Sequence, residues 1–188
     1  IVFPATIPAQ GYSVVLVRDD PKPAAAPIAT DLSVFPTHLA NRHLRLELDG
    51  AGIRGMSVEG RQILGERGIG LHLRPDATDT WTFQTDRFCE PVEAVFKADG
   101  WVVEETGPLR ARLRLEGRVG NSAARWTLSL HRGEPRVHLQ LEITFSEKFR
   151  LLQMPIHLAS ASQGWTDGLA GGQVDRTPGP TEWPVQGW

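Results

Sequence analysis

The feature that most constrains the fold is a long alternation of apolar and polar residues over 137–145. Its apolar positions are Val137, Leu139, Leu141, Ile143 and Phe145. A period of two sends successive side chains to opposite faces, which predicts a strand with one buried face. Two more alternating stretches, 109–116 and 124–131, precede it, with turn residues at 117–121 and 133–135. Together they predict a three-stranded antiparallel meander.

Shorter strand candidates fill the rest of the chain. They lie at residues 12–17, 44–48, 53–58, 69–73, 80–83, 92–98 and 101–105. No stretch of a dozen residues shows a convincing 3.6-residue period, so we expect little helix. Many short strands separated by turns are typical of sandwiches and barrels. We therefore predict an all-β fold, a large antiparallel β-sandwich.

Two segments do not follow the strand pattern and suggest the domain organisation. Residues 19–29 are rich in proline and alanine and are predicted to be an extended linker. We therefore divide the chain into a leading strand with its linker, 1–29, and a β-sandwich domain, 30–188. From residue 159 the chain carries many glycines and tryptophans without alternation, and we interpret 158–188 as a long end loop.

Composition excludes several classes of partner. The 20 basic and 22 acidic side chains are interspersed and give a net charge of −2, which predicts no nucleic-acid partner. No apolar run reaches the roughly 20 residues that span a bilayer, which predicts no membrane partner. The single cysteine, Cys89, excludes an internal disulfide and favours a cytoplasmic protein. The chain starts at Ile1 rather than methionine and stops in an apolar segment at Trp188, so we expect both ends to be cut.

Acidic and nucleophilic residues give little sign of catalysis. Asp76 and Asp79, beside Trp81, could form a carboxylate pair, but acidic residues in such a context more often close turns through their own backbone. No serine lies in a GxSxG turn, and the GLAGGQ stretch lacks the lysine of a phosphate loop. We favour the turn interpretation.

The histidines do not form a recognised metal motif. His38 and His43 flank Asn41, while His131 and His138 fall on the solvent-facing positions of adjacent strands. No HExxH, HxH or DxH grouping is present, so we assign no metal ligand.

The tryptophans divide into two groups. Trp126 is at a core position of its strand and is predicted to be a packing residue. Trp165, Trp183 and Trp188 lie in the end region, where they would serve as interface residues or as platforms for a ligand. Interface packing is the favoured interpretation.

An ordered series of strings resembles one family over essentially the whole chain. The strings are IPAQGYSVVLV, LANRHLRLELDGAGIRGMSVEGRQIL, DATDTW, EETGPLRARLRLEG, EKFRLLQMPIHLA and DRTPGPTEWPVQGW. In this order they resemble the C-terminal β-sandwich region of glycoside hydrolase family 38 α-mannosidases.

The resemblance implies a galactose mutarotase-like supersandwich and a parent enzyme that hydrolyses α-mannosides with retention. In that family an aspartate nucleophile, a second acid and a zinc ion belong to the N-terminal catalytic region. None of those motifs occurs here, so the resemblance implies no catalytic residue and no metal on this chain. The expected partners are the N-terminal catalytic domain and, through the parent, an α-mannoside; zinc is expected in the catalytic domain and a homo-oligomer is left open.

The resemblance also suggests a loop that returns toward the substrate cleft. It implies substrate-rim roles for Arg176, Thr177 and Glu182, although Arg176-Thr177-Pro178 departs from the family's commoner Arg-Pro-Thr order. The alternative is that Arg176 anchors the loop through a salt bridge with Asp167 or Asp175.

Two other functions stay open from the sequence. One is a free-standing carbohydrate-binding module, motivated by the end-region tryptophans. The other is a mutarotase-like enzyme, which would need a converging histidine and glutamate. His138 and Glu142 share a strand face, but four residues of strand separate them by about 13 Å, too far to act on one carbon.

Overall fold

A computed structural model of the chain describes residues 3–16, 28–78, 88, 90–160, 163–179 and 182–183. Within these residues it contains 17 β-strands and no helix. The strands are β1 (Ser33–Phe35), β2 (His38–Ala40), β3 (Leu44–Asp49), β4 (Gly52–Val58), β5 (Arg61–Gln62), β6 (Leu64–Ile69), β7 (His72–Pro75), β8 (Ala94–Val95), β9 (Lys97–Ala98), β10 (Val102–Thr106), β11 (Arg110–Val119), β12 (Ser122–His131), β13 (Val137–Thr144), β14 (Arg150–Gln153), β15 (Ile156–Leu158), β16 (Trp165–Leu169) and β17 (Gly172–Arg176). None of the described residues forms a helix long and apolar enough to cross a membrane.

Two large antiparallel sheets organise the molecule. The first has the order β1-β2-β3-β4-β6-β15, with β5 paired to β4. The second has the order β10-β11-β12-β13, with β9 paired to β11. A three-stranded sheet, β14-β7-β8, and the hairpin β16-β17 complete the described strands.

One apolar core joins the inner faces of the two large sheets. The first sheet contributes Leu39 and Leu46, and the second contributes Leu113, Trp126 and Leu128, all fully buried. Each of these lies on the apolar parity of its strand, so alternation decides which face is inside. The prediction of an all-β sandwich is confirmed.

The predicted meander is β11, β12 and β13. Its register pairs Leu113 with Leu128 and Trp126 with Leu141. The first turn comes later than predicted, because β11 continues through Gly117 to Val119. Gly117 is a strand residue that lets β9 approach, since a Cβ atom there would lie 2.2 Å from the Lys97 carbonyl oxygen.

Three of the shorter strand predictions were wrong in part. Residues 12–16 form no strand, and their apolar side chains are exposed, with no described neighbouring strand to bond their backbone. The predicted strand at 69–73 is two strands, β6 and β7, which belong to different sheets. That at 92–98 is divided into β8 and β9 by the buried Phe96.

The end region was also predicted incorrectly as a loop, because it contains the hairpin β16-β17. Asp167 is the buried residue of β16, so apolar periodicity could not reveal the strand. The predicted strand at 80–83 and the linker residues 19–27 lie outside the described residues. The boundary near residue 29 stays a prediction.

Candidate functional site

The end hairpin carries the arginine that the sequence analysis selected. Its register places Trp165 opposite Arg176 and Asp167 opposite Val174, and Gly171 makes the turn with φ +80°. Positive φ is a conformation that glycine adopts without strain. The hairpin thus holds Arg176 at the end of its second strand.

A buried carboxylate fixes the guanidinium of Arg176. Asp167 is 1% exposed, and its Oδ2 accepts a hydrogen bond from Arg176 Nε over 3.3 Å. Aspartate is seldom fully buried unless it is paired. Of the two predicted partners, Asp167 makes this ion pair, whereas Asp175 accepts a hydrogen bond from the Thr166 hydroxyl over 2.7 Å.

The guanidinium of Arg176 also lies over an aromatic ring. Its Cζ is 4.1 Å from the centroid of Trp183, within the range of a cation–π interaction. Trp183 is 46% exposed, and Trp165 at the start of the hairpin is 39% exposed. Trp188 lies outside the described residues.

The other two predicted rim residues lie close by in sequence but make different contacts. Thr177 is exposed directly after β17. Glu182 is exposed, and its Oε1 accepts a hydrogen bond from the backbone amide of Phe88 over 3.0 Å. Glu182 therefore ties the end segment to Phe88, and a rim role for Arg176, Thr177 and Glu182 stays a prediction.

This arrangement favours binding over proton transfer. Exposed indole rings and a guanidinium are groups that contact polar ligands with flat apolar faces, sugars among them. The three nearby carboxylates are already engaged, Asp167 with Arg176, Asp175 with the Thr166 hydroxyl and Glu182 with a backbone amide. None of the three is placed as a free acid or base in the described geometry.

Of the acidic pair considered for catalysis, the structure describes Asp76. Asp76 Oδ1 accepts hydrogen bonds from the amide of Thr78, over 3.0 Å, and from its hydroxyl, over 2.5 Å. These bonds confirm the turn interpretation for Asp76. Asp79 and Trp81 lie outside the described residues, as does Cys89.

The histidines nearest the start of the domain have local partners. His38 stacks on Phe35 with ring centroids 4.7 Å apart and shares a 3.1 Å hydrogen bond with Ser33. His43 Nδ1 is 2.6 Å from Glu59 Oε1. Both side chains are partly buried and make these contacts within the strands and turns of the first large sheet.

A different group of donors meets at the β12-β13 turn. His131, Glu134 and His138 each present a potential ligand atom, and these atoms lie within 4.8 Å of one another. The search for fixed metal motifs missed this group, because the glutamate lies in the turn between two strands. The available signal was the solvent-facing parity of both histidines on either side of one tight turn.

Two further histidines are perturbed by their surroundings. Burial lowers the pKa of His72, and the charges of Arg74, His157 and Arg67 lower it further. Burial, followed by Arg67, likewise lowers the pKa of His157. The neutral imidazole is therefore the favoured form of both in the folded chain.

The His138 and Glu142 pair considered for a mutarotase makes separate contacts. Glu142 Oε2 is 3.4 Å from Arg125 Nη1, whereas His138 Nε2 is 3.8 Å from Glu134 Oε1. The two side chains are thus directed to different partners.

Comparison with known proteins places the chain in a family. Residues 39–188 match the model of the glycosyl hydrolases family 38 C-terminal domain. This match begins within β2 and covers the first large sheet apart from β1, the second large sheet and the end hairpin. A search of the curated proteins finds no match. The chain therefore belongs to glycoside hydrolase family 38, as the β-rich C-terminal domain of its enzymes.

Proposed function

We propose that this chain is the non-catalytic C-terminal domain of a retaining α-mannosidase, which packs on the catalytic domain and shapes the substrate cleft. The observation that carries the proposal is the family match over residues 39–188, which runs from β2 through the end hairpin. The catalytic carboxylates and the zinc ion belong, in this proposal, to the N-terminal domain. The chain by itself is then inactive.

Exposed apolar side chains support the packing role. Phe145, Phe149, Ile156 and Leu158 are between 45% and 75% exposed and all lie between the end of β13 and β15. Large apolar side chains left exposed over one stretch of chain are typical of a contact with another domain or protein. The catalytic domain is the partner that the family supplies.

The contacts of Arg176 support a role at the cleft. Asp167 holds only its Nε edge, and Trp183 covers one face of the planar group. A guanidinium held in this way is pre-organised for paired hydrogen bonds to sugar hydroxyls or to a carboxylate of the catalytic domain. Thr177 and Glu182 are exposed and lie close to Arg176 in sequence.

The cleft role is tested with Arg176→Lys in the enzyme that contains both domains. Lysine keeps a positive charge beside Asp167 but loses the planar fork of donors. We expect kcat/KM for an α-mannoside to fall about tenfold or more, the effect of losing one charged hydrogen bond. Arg45→Lys is the matched control, because Arg45 pairs with Glu47 on the first sheet. If the two variants have equal kcat/KM, Arg176 has no role in the substrate cleft.

The exposed Trp165 and Trp183 favour a second candidate function, sugar binding by the chain without its catalytic domain. Titration with mannose and mannobiose, followed by tryptophan fluorescence, tests it. Saturable quenching that disappears in Trp183→Leu would establish a carbohydrate-binding module. Unchanged fluorescence leaves packing and cleft shaping as the function.

A further inference from the structure

The β12-β13 turn brings together three side chains of the types that bind transition metals. His131 is the last residue of β12, His138 is the second residue of β13, and Glu134 lies in the turn between them. Neutral imidazole and carboxylate are ligands of zinc and its neighbours in the periodic table. Their potential ligand atoms all lie within 4.8 Å of one another.

The distances between the potential ligand atoms are close to those between the ligands of a coordinated ion. His138 Nε2 lies 3.8 Å from Glu134 Oε1, and the rings of His131 and His138 are 5.8 Å apart at an angle of 75°. Ligand atoms of a tetrahedral zinc ion are roughly 3.3 Å apart, given bonds of about 2.0–2.1 Å. The side chain of His138 is 51% exposed and that of Glu134 is 34% exposed. Rotations of the exposed His138 and the partly exposed Glu134 side chains can close the difference without moving the backbone.

The backbone that carries the ligands is already fixed. Asn41 Nδ2 donates hydrogen bonds to the carbonyls of His131, over 3.0 Å, and Glu134, over 2.7 Å. The carboxylate of Asp31 accepts a bond from the amide of Gly133 over 3.2 Å. Side chains such as Asn41 and Asp31, which hold the backbone of the ligand residues, reduce the conformational entropy that is lost when an ion binds.

The types of donor select the class of ion. Only one of the three donors is a carboxylate, whereas calcium and magnesium are bound mainly by several oxygens. Two imidazoles and one carboxylate instead suit zinc and its neighbours, which bind imidazole strongly. Three arginines lie in or beside the turn, Arg42, Arg132 and Arg136, and their positive charge lowers the affinity for any cation.

We propose that His131, Glu134 and His138 form a binding site for a divalent transition-metal ion of the zinc class, which ties β12 to β13 across their turn. A solvent molecule completes the fourth position of a tetrahedral ion.

The proposal is tested on this chain after treatment with a chelator and its removal. Zn²⁺ is titrated calorimetrically, and Co²⁺ is used as a probe because its visible absorption reports tetrahedral coordination. We expect one ion per chain, and affinity lowered about tenfold or more in His138→Gln and in Glu134→Gln. Thermal unfolding provides a second measure, because an ion that binds only the folded chain raises Tm.

His157→Gln is the matched control, since His157 lies on β15 in the other large sheet. It should bind the ion as the unmodified chain does and show the same rise in Tm. Circular dichroism identifies any variant that fails to fold, and Glu134→Gln, at a partly exposed turn position, keeps the test decisive if a histidine variant unfolds. The proposal is wrong if the chain shows no saturable binding of Zn²⁺. It is also wrong if the Glu134→Gln and His157→Gln variants bind Zn²⁺ with equal affinity.

Discussion

At the scale of single residues, Asn41 connects parts of the chain that are far apart in sequence. Its Nδ2 bonds the carbonyls of His131 and Glu134, while its Oδ1 accepts the amides of His43, over 2.9 Å, and Leu44, over 3.1 Å. One side chain thus satisfies polar backbone groups at the start of β3 and at the β12-β13 turn. It fastens the first large sheet to the second.

Replacing Asn41 with alanine should therefore destabilise the fold. Loss of four hydrogen bonds, each worth about 1 kcal/mol net, predicts a fall of about 2–4 kcal/mol in the free energy of unfolding, measured with urea. Asn121→Ala is the control, because the side chain of Asn121 makes only a 3.4 Å contact with Glu147. Comparable losses in both variants would show that Asn41 is not the fastening residue.

The lowered pKa values of His72 and His157 predict a pH dependence of stability. Their ordinary value is 6.5, and the folded chain holds both below it. As pH falls through 6.5 the unfolded chain takes up protons before the folded one, so stability should decrease on acidification and level off below the folded pKa values.

Urea unfolding across this pH range measures the effect. In the double variant His72→Gln, His157→Gln the loss of stability between neutral pH and the folded pKa values should be smaller than in the unmodified chain. An identical pH profile in the double variant would contradict the assignment.

At the scale of elements, the close approach of β9 to β11 depends on one glycine. A Cβ atom at Gly117 would lie 2.2 Å from the Lys97 carbonyl oxygen and 2.7 Å from Cζ of Phe96. Backbone atoms cannot yield as the end of a flexible side chain can. The pairing of β9 with β11 therefore excludes a side chain at this position.

Gly117→Ala should accordingly lower the free energy of unfolding by about 1–3 kcal/mol or more, as overpacking does. Gly172→Ala is a matched control within a strand, because no atom lies within 4 Å of its added Cβ. Its effect should stay within about 0.5 kcal/mol. Thermal and urea unfolding of both proteins gives the comparison, and a harmless Gly117→Ala would disprove the close approach.

The structure of the strands also explains which of them could be predicted from the sequence. Alternation located β11, β12 and β13, because one face of each strand is apolar and the other polar. It failed for β16, whose buried residue is the charged Asp167. It also could not separate β6 from β7, since a change of sheet leaves no mark on local periodicity.

At the scale of the whole molecule, the class of fold was predictable and the strand order was not. The number and length of the strands indicated a sandwich, whereas the pairing of β15 with β6 and of β14 with β7 joins segments distant in the chain. The candidate site likewise contains a part that the sequence suggested and a part that it did not. The family resemblance suggested Arg176 as a rim residue, which stays a prediction, but the His131, Glu134 and His138 group required the turn geometry.

The family assignment and the engaged carboxylates of the end hairpin support one account of the molecule, that of a domain that completes an enzyme whose chemistry lies elsewhere. The central claim is tested most directly by hydrolysis of a chromogenic α-mannoside. This chain, with and without added zinc, is compared with a longer protein that includes the N-terminal catalytic domain. The account predicts turnover by the longer protein alone; turnover by this chain would contradict it and would place catalytic residues within these 188 residues.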